Sequence, residues 1–380
     1  MKRLLITGGA GFIGSNFCRY WSETHAADRV VVLDALTYAG NRANLTELIR
    51  DGRVRLVHGD IGDLEHTRAL LRDERIDTIV NFAAETHVDR SIDDPSVFVR
   101  TNVLGTQMLL EAARSAWGAS AGERGCRFHH VSTDEVFGSL APHEPPCTEE
   151  SRYAPNSPYA ASKAAADHLV RAYANTFGVP ATVSLCSNNY GPRQFPEKLL
   201  PLCLINILEG RRLPIYGDGL QLRNWLHVDD HCRAIDLILR HSPAGRAWNV
   251  GGPAEQSNIA TVVQLCDIVD ALFAADPELA SRFPMAPAAR GTSSRTLIAH
   301  VPDRPGHDRR YALDCGQIER TLAFTRTTTL SAGMAMTARW YIDHERWWRK
   351  AALATASSGL PPVRCEVPYR DSAVSRNVPS

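Results

Sequence analysis

The sequence predicts an α/β fold in which a doubly wound parallel sheet carries a smaller C-terminal lobe. Three observations predict it. Short apolar runs alternate with helical patterns through the first half of the chain. A glycine-rich turn joins the first run to the first helical pattern, and polar residues of chemical interest follow the ends of the runs. Such alternation favours parallel strands with helices on both faces, and ligands bind outside the carboxyl ends of those strands.

Lys2–Thr7 reads as the first strand and runs into Gly8-Gly9-Ala10-Gly11-Phe12-Ile13-Gly14, then into a helical pattern carrying Phe17, Tyr20 and Trp21. Gly8, Gly11 and Gly14 suit a tight turn, close approach of backbone to a pyrophosphate, and helix–strand packing, while the helix N-terminus offers N–H donors. A second strand, Arg29–Leu33, ends at Asp34. That position lies about twenty residues past the glycines, where an acidic side chain takes ribose hydroxyls and repels a 2′-phosphate, so NAD is expected rather than NADP. Further strands are expected at Val54–His58, Thr78–Phe82, Arg127–Ser132 and Ala181–Leu185, and helices at Pro95–Ala116 and Ser157–Phe177. The strand ends carry Asp60, Ala83-Ala84-Glu85-Thr86 and Thr133-Asp134-Glu135 on one edge of the sheet. This describes a Rossmann-type domain over residues 1–190, with return segments at about 226–255 that include Val228–Arg240 and Ala247–Val250. Residues 191–225 and 256–350 are expected to form a substrate-binding lobe, with Pro284–Ser294 a surface loop, and residues 351–380 a flexible tail.

The chain has 380 residues, enough for a large core, and its 42 basic and 42 acidic side chains leave no surplus to draw nucleic acid or an anionic membrane. The start, Met1-Lys2-Arg3, has the charge of a signal peptide, but glycines break the apolar run that follows. No stretch reads as a membrane span. Nine dispersed cysteines without metal or CxxC spacing read as core residues in a reducing compartment, so a cytoplasmic enzyme is expected.

Tyr159 and Lys163 stand four apart on one helix face, so the Lys charge can lower the Tyr pKa and make it a base for an alcohol proton. Upstream, Asp134 and Glu135 are adjacent carboxylates on the ligand edge, and such pairs tend to split their pKa values, leaving one as an acid. A base beside a nicotinamide describes alcohol oxidation; the added acid/base pair describes a further step. His129 and His130 read as strand packing, and no metal site is expected.

The motifs together resemble the extended short-chain dehydrogenase/reductase superfamily, and within it the dTDP-glucose 4,6-dehydratase family, from about Lys2 to about Trp348. The resemblance rests on Thr7–Gly14, Asp34–Asn41, Ala83–Ser91, Ser132–Gly138, Ser187–Pro192 with Phe195–Lys198, Pro214–Gly217 and Asp303–Asp308. Phe137 and Thr86 depart from the tyrosine and serine usual at their places. The resemblance implies a cycle in which Tyr159 takes the C4 hydroxyl proton while NAD+ takes the C4 hydride. Glu135 then removes the C5 proton, Asp134 protonates the leaving C6 hydroxyl, and the hydride returns to C6. It implies that Thr133 bonds the C4 oxygen and Lys163 the nicotinamide ribose. Phe12, Ile13, Thr37, Asp60, Ile61, Ala83, Ala84, Thr101 and Asn189 would make further cofactor contacts. Thr86, Asn188, Lys198, Leu199, Pro214, Tyr216, Arg223, Asn258, Arg304 and His307 would face the nucleotide-sugar. A homodimer paired through the helices Pro95–Ala116 and Ser157–Phe177 is expected. The alternative is another nucleotide-sugar 4,6-dehydratase, or a 4-epimerase, on the same scaffold.

Overall fold

Strands covered by helices on both faces must be apolar throughout, and Leu4–Ile6 and Val30–Leu33 are almost without exposure. The computed structural model describes residues 1–357. Its strands in chain order are β1 (Arg3–Thr7), β2 (Arg29–Asp34), β3 (Val54–His58), β4 (Thr78–Asn81), β5 (Arg127–Thr133), β6 (Ala181–Cys186), β7 (Asn188–Tyr190), β8 (Leu213–Tyr216), β9 (Leu222–His227), β10 (Ala247–Val250), β11 (Glu255–Ser257) and β12 (Ile298–Val301). Seven of them form the expected parallel sheet in the order β10-β6-β5-β4-β1-β2-β3. The order reverses direction at β1 and β4, which pair in register Leu4 to Thr78, and ligand sites in such sheets open at that reversal. Of the return segments, Val228–His241 is a helix lying against Phe12–Thr24, and only β10 joins the sheet.

The helix expected over Pro95–Ala116 is interrupted. Residues Pro95–Phe98 and Thr106–Trp117 are α-helical, but Val99–Gly105 between them is a π-helical stretch. Inside it, the Asn102 side chain donates to the Glu85 carbonyl (3.0 Å) and Ser162 Oγ (2.8 Å) and accepts from the Glu85 N–H (2.9 Å). A widened turn frees the side chain to clamp the loop after β4, as such bulges do near functional sites. The second long helix begins at Pro158 and runs to Phe177, with Ser157 as its cap and Gly178 closing it in the left-handed region.

Beyond β6 the chain builds a second core around Leu200, Leu204, Ile207, Val262, Val269, Met334, Tyr341 and Trp348. Two small sheets, β11-β9-β7 and β12-β8, flank it. Contrary to the sequence reading, one helix, Asn258–Ala275, is long and apolar enough to cross a membrane by length and composition. In this fold it packs on the helices Leu199–Leu208 and Leu330–Asp343, and its Asp267 and Asp270 bind Arg295 and Ser294. The segment expected as a loop, 284–294, is partly interior, with Ala286, Pro287 and Ser294 buried. The final helix, Glu345–Ser357, includes the start of the expected tail; the rest of that tail lies outside the described residues. Trp347 of this helix donates from Nε1 to Asn44 Oδ1 (2.8 Å), and Asn44 Nδ2 donates to the Ala10 carbonyl (2.9 Å). The last helix therefore braces the glycine loop.

Candidate active site

The carboxyl ends of β1 to β6 open into a cavity of about 310 Å³. Every cofactor position named from the sequence lines it: Gly8, Gly11, Phe12, Ile13, Gly14, Asp34, Thr37, Asp60, Ile61, Ala83, Ala84, Thr101, Tyr159, Lys163 and Asn189. Thr86, Thr133, Asp134, Glu135, Asn188 and Lys198 share the same wall.

The glycine loop leaves room only for backbone. Gly8 has φ +65°, and a Cβ there would stand 2.7 Å from the Ala83 nitrogen; at Gly14 it would meet the Gly8 carbonyl at 2.4 Å. The helix Phe12–Thr24 starts from Gly11 without a side-chain cap or an acidic first turn, so its first N–H groups are left for an anion. Asp34 accepts from the Ala10 and Leu36 N–H groups, both at 2.8 Å, which fixes its carboxylate toward the cavity with lone pairs to spare. This cradle fits a dinucleotide.

Thr133 ends β5, and its side chain accepts from the Glu135 N–H (3.3 Å), turning the chain into the short helix Asp134–Phe137. Gly138 then turns away at φ +78°, where any Cβ would strike the Ala154 carbonyl. Asp134 and Glu135 are thus held side by side by a capped turn. Burial, reinforced by the Glu135 charge, pushes Asp134 up to about 8. Burial raises Glu135 too, but Arg304, Lys198 and Arg223 draw it back. Asp134 is therefore protonated at neutral pH.

Tyr159 sits in the first helical turn, buried, edge-on to Phe98 at 6.3 Å. Burial, then the Glu135 charge, pushes its phenol well up, the opposite of the shift anticipated from Lys163. Lys163 directs Nζ to the Val131 carbonyl (2.8 Å) and His130 Nε2 (3.2 Å), and burial lowers its own pKa.

The remaining substrate positions fall into two groups. Arg223, Arg304, Tyr216 and His307 gather beyond Glu135: Arg304 pairs with Asp89 (3.2 Å), Tyr216 donates to the other Asp89 oxygen (3.3 Å), and His307 stands edge-on to Tyr216. Asn258 opens its helix nearby, its N–H donating to the Gln221 carbonyl. Leu199 packs partly on the second core, and Pro214 pairs with Ala299 in the small parallel sheet. Asp134 Oδ2, Asn188 Oδ1, Asn258 Oδ1 and Arg304 Nε are among the buried polar atoms without a hydrogen-bond partner in the described residues, and Asp134 and Asn188 line the cavity, where a polar ligand can meet them.

Sequence reasoning missed Glu197, which lines the cavity and accepts from Tyr38 Oη at 2.9 Å, and Tyr311, whose ring lies 4.3 Å from the Arg223 guanidinium. The first stood inside the quoted Phe195–Lys198 motif, next to Lys198, and could have been found there.

Residues 5–337 match a family model described as GDP-mannose 4,6 dehydratase. The chain is 44% identical over 356 residues to dTDP-glucose 4,6-dehydratase of Salmonella typhimurium, covering 91% of this chain and 94% of that one. Among solved structures, a dTDP-glucose 4,6-dehydratase from Streptomyces venezuelae with NAD bound superposes with a TM-score of 0.80 at 46% identity, covering 92% of this chain and 99% of that one. One from Bacillus anthracis in complex with NAD gives 0.79 at 38%, covering 92% and 100%. The chain belongs to the GDP-mannose 4,6 dehydratase family, and within it to the dTDP-glucose 4,6-dehydratases.

Proposed function

We propose that the chain dehydrates dTDP-glucose to dTDP-4-keto-6-deoxyglucose, a hydro-lyase reaction of deoxysugar biosynthesis that uses NAD without consuming it. The relatives that carry this name support it. The observation that carries it is the Asp134–Glu135 pair on the same cavity wall as Tyr159 and Lys163. A 4-epimerase has no elimination to catalyse and needs no such pair.

NAD, held by the Gly8–Gly14 loop, Asp34, Asp60, Ile61 and Lys163, supplies reversible hydride acceptance. Tyr159 takes the C4 hydroxyl proton, with Thr133 bonding the same oxygen. The resulting 4-ketone acidifies C5–H, and Glu135, with the cationic Arg304, Lys198 and Arg223 around it, removes that proton. Asp134 gives its proton to the departing C6 hydroxyl, and water leaves. Arg223, Arg304 and Lys198 suit the diphosphate, with Thr86, Asn188, Tyr216, Asn258 and His307 as further substrate contacts. We assign residues 1–190 and 226–255 to the cofactor domain and the rest up to residue 350 to the substrate lobe.

Incubation with a panel of NDP-glucoses, without added reductant, tests this. The dTDP-sugar should give the base-induced absorbance of a 4-keto product with no build-up of NADH. NADH formed in step with product would overturn the reading.

We further infer a homodimer. Val97, Val99 and Leu104 around the π-helical stretch and Phe177 at the end of the second long helix are exposed apolar groups on the two elements expected to pair. Light scattering at micromolar concentration should return twice the chain mass. The eight described cysteines are buried and form no disulfide among the described residues, which supports a reducing cytoplasm.

A further inference from the structure

Around Asp167, on the same helix as Lys163, lies a buried polar cluster that the reaction scheme does not use. Lys163 and Asp167 stand one helical turn apart. Asp167 is wholly buried, and its Oδ2 accepts from Ser132 Oγ (2.7 Å) and Tyr153 Oη (3.1 Å). Its Oδ1 has no hydrogen-bond partner among the described residues but stands 3.5 Å from His130 Nε2. The tautomer of that ring follows from its neighbours. Thr7 donates to Asn81 Oδ1 (2.6 Å), which turns Asn81 Nδ2 toward His130 Nδ1 (3.1 Å), so the ring accepts there and carries its proton on Nε2. The imidazole N–H and the Lys163 ammonium, 3.2 Å apart, are then two donors facing each other. The free Asp167 oxygen is the acceptor that reconciles them.

We propose that Asp167 is the positioning residue for Lys163: acting beside and through His130, it holds the buried ammonium charged and aimed behind Tyr159. An ammonium taken out of water loses its proton readily unless a counter-charge stands near. The groups facing Asp167 are Lys163 and Arg171 of its own helix, His130 and Ser132 of β5, and Tyr153 of the preceding loop, whose ring also meets His168. His129 turns away to Thr182 and Ser184. Asp167 is the carboxylate that favours the charged form of Lys163 against burial. A purely packing role would be served equally well by a neutral isostere.

The inference rests on the proposed role of Tyr159 as the base. The test compares Asp167→Asn with the unaltered holoenzyme. The ascending limb of kcat/KM against pH, which reports the base, should move to higher pH by about one unit, the scale expected for loss of an opposite charge nearby. Ultraviolet difference titration of the tyrosinate, with Tyr159→Phe as the blank, should move by the same amount without any turnover. Asp167→Glu, which keeps the charge, should restore most of the shift. Tyr153→Phe, which removes one donor to Asp167 and favours its protonation, should move both readouts in the same direction by less. A folded Asp167→Asn with both titrations unmoved overturns the proposal; if that variant does not fold, unmoved titrations in Tyr153→Phe overturn it. The two failures are distinguishable: if Tyr159 is not the base, Tyr159→Phe leaves the limb in place, whereas if only Asp167 is misassigned, Tyr159→Phe removes the limb and Asp167→Asn leaves it where it was.

Discussion

The proposed cofactor and substrate halves of the site, the first lining the cavity and the second reaching beyond its wall, are made of different material. The cofactor half is main chain: glycines without Cβ, strand ends and an uncapped helix start, with Asp34 fixed by two backbone N–H groups. The substrate half is long side chains from distant segments, with Lys198 Nζ on the Thr86 carbonyl (2.9 Å), Arg304 on Asp89 and His307 on Asp303 (2.6 Å). A wall of backbone admits no extra atom, because its neighbours cannot move aside. A wall of flexible arms can give by a rotamer change, and each arm contributes separately. The first half should therefore respond to substitution all at once, and the second by degrees.

The largest effect is expected where the halves meet. Asp134→Asn keeps the shape but loses the proton, and should lower kcat by on the order of 10²–10⁴-fold while substrate affinity changes little. The sign of the pH dependence follows from its raised pKa. The acid must be protonated to act, so on its account the rate should fall as pH rises through about 8, giving a descending limb above the ascending limb of the base. That falling limb should be missing from the variant; steady-state kinetics across pH checks both.

Next comes the backbone half. Gly14→Ala puts a methyl 2.4 Å from the Gly8 carbonyl. NAD affinity by calorimetric titration should drop by on the order of 100-fold, the equivalent of about 3 kcal/mol. Binding within a few-fold of the unaltered chain would show that the loop can yield and would erase the contrast drawn here. The smallest effect belongs to a single arm. Arg304→Gln should raise KM about tenfold, the scale of one hydrogen bond to a charged group, with kcat nearly unchanged. A loss in kcat of similar size would mean that Arg304 acts on Glu135 rather than on the diphosphate.

The same division decides what could be read in the sequence. Glycine spacing, strand ends and a Tyr–Lys pair on one helix face are local patterns, and each falls where the pattern put it. The π-helical stretch at Val99–Gly105 was not legible, because its cause is Asn102 reaching Glu85 and Ser162, contacts that no local periodicity encodes. The places of Leu199 and Pro214 were not legible either: the first packs on the second core and the second sits in the small parallel sheet, contacts made by residues distant in the sequence. The raised Tyr159 pKa was likewise beyond spacing alone, since burial and Glu135 outweigh what one lysine nearby suggests.

The brace from Trp347 through Asn44 to Ala10 has a consequence for biosynthesis. A ribosome makes Asn44, on which the glycine loop rests, 303 residues before Trp347. The loop therefore emerges long before this support exists, and a nascent chain cannot complete the brace until the helix Glu345–Ser357 has left the exit tunnel. A message truncated shortly before codon 347 would yield a protein with every residue of the cavity wall present and its oldest segment still unsupported.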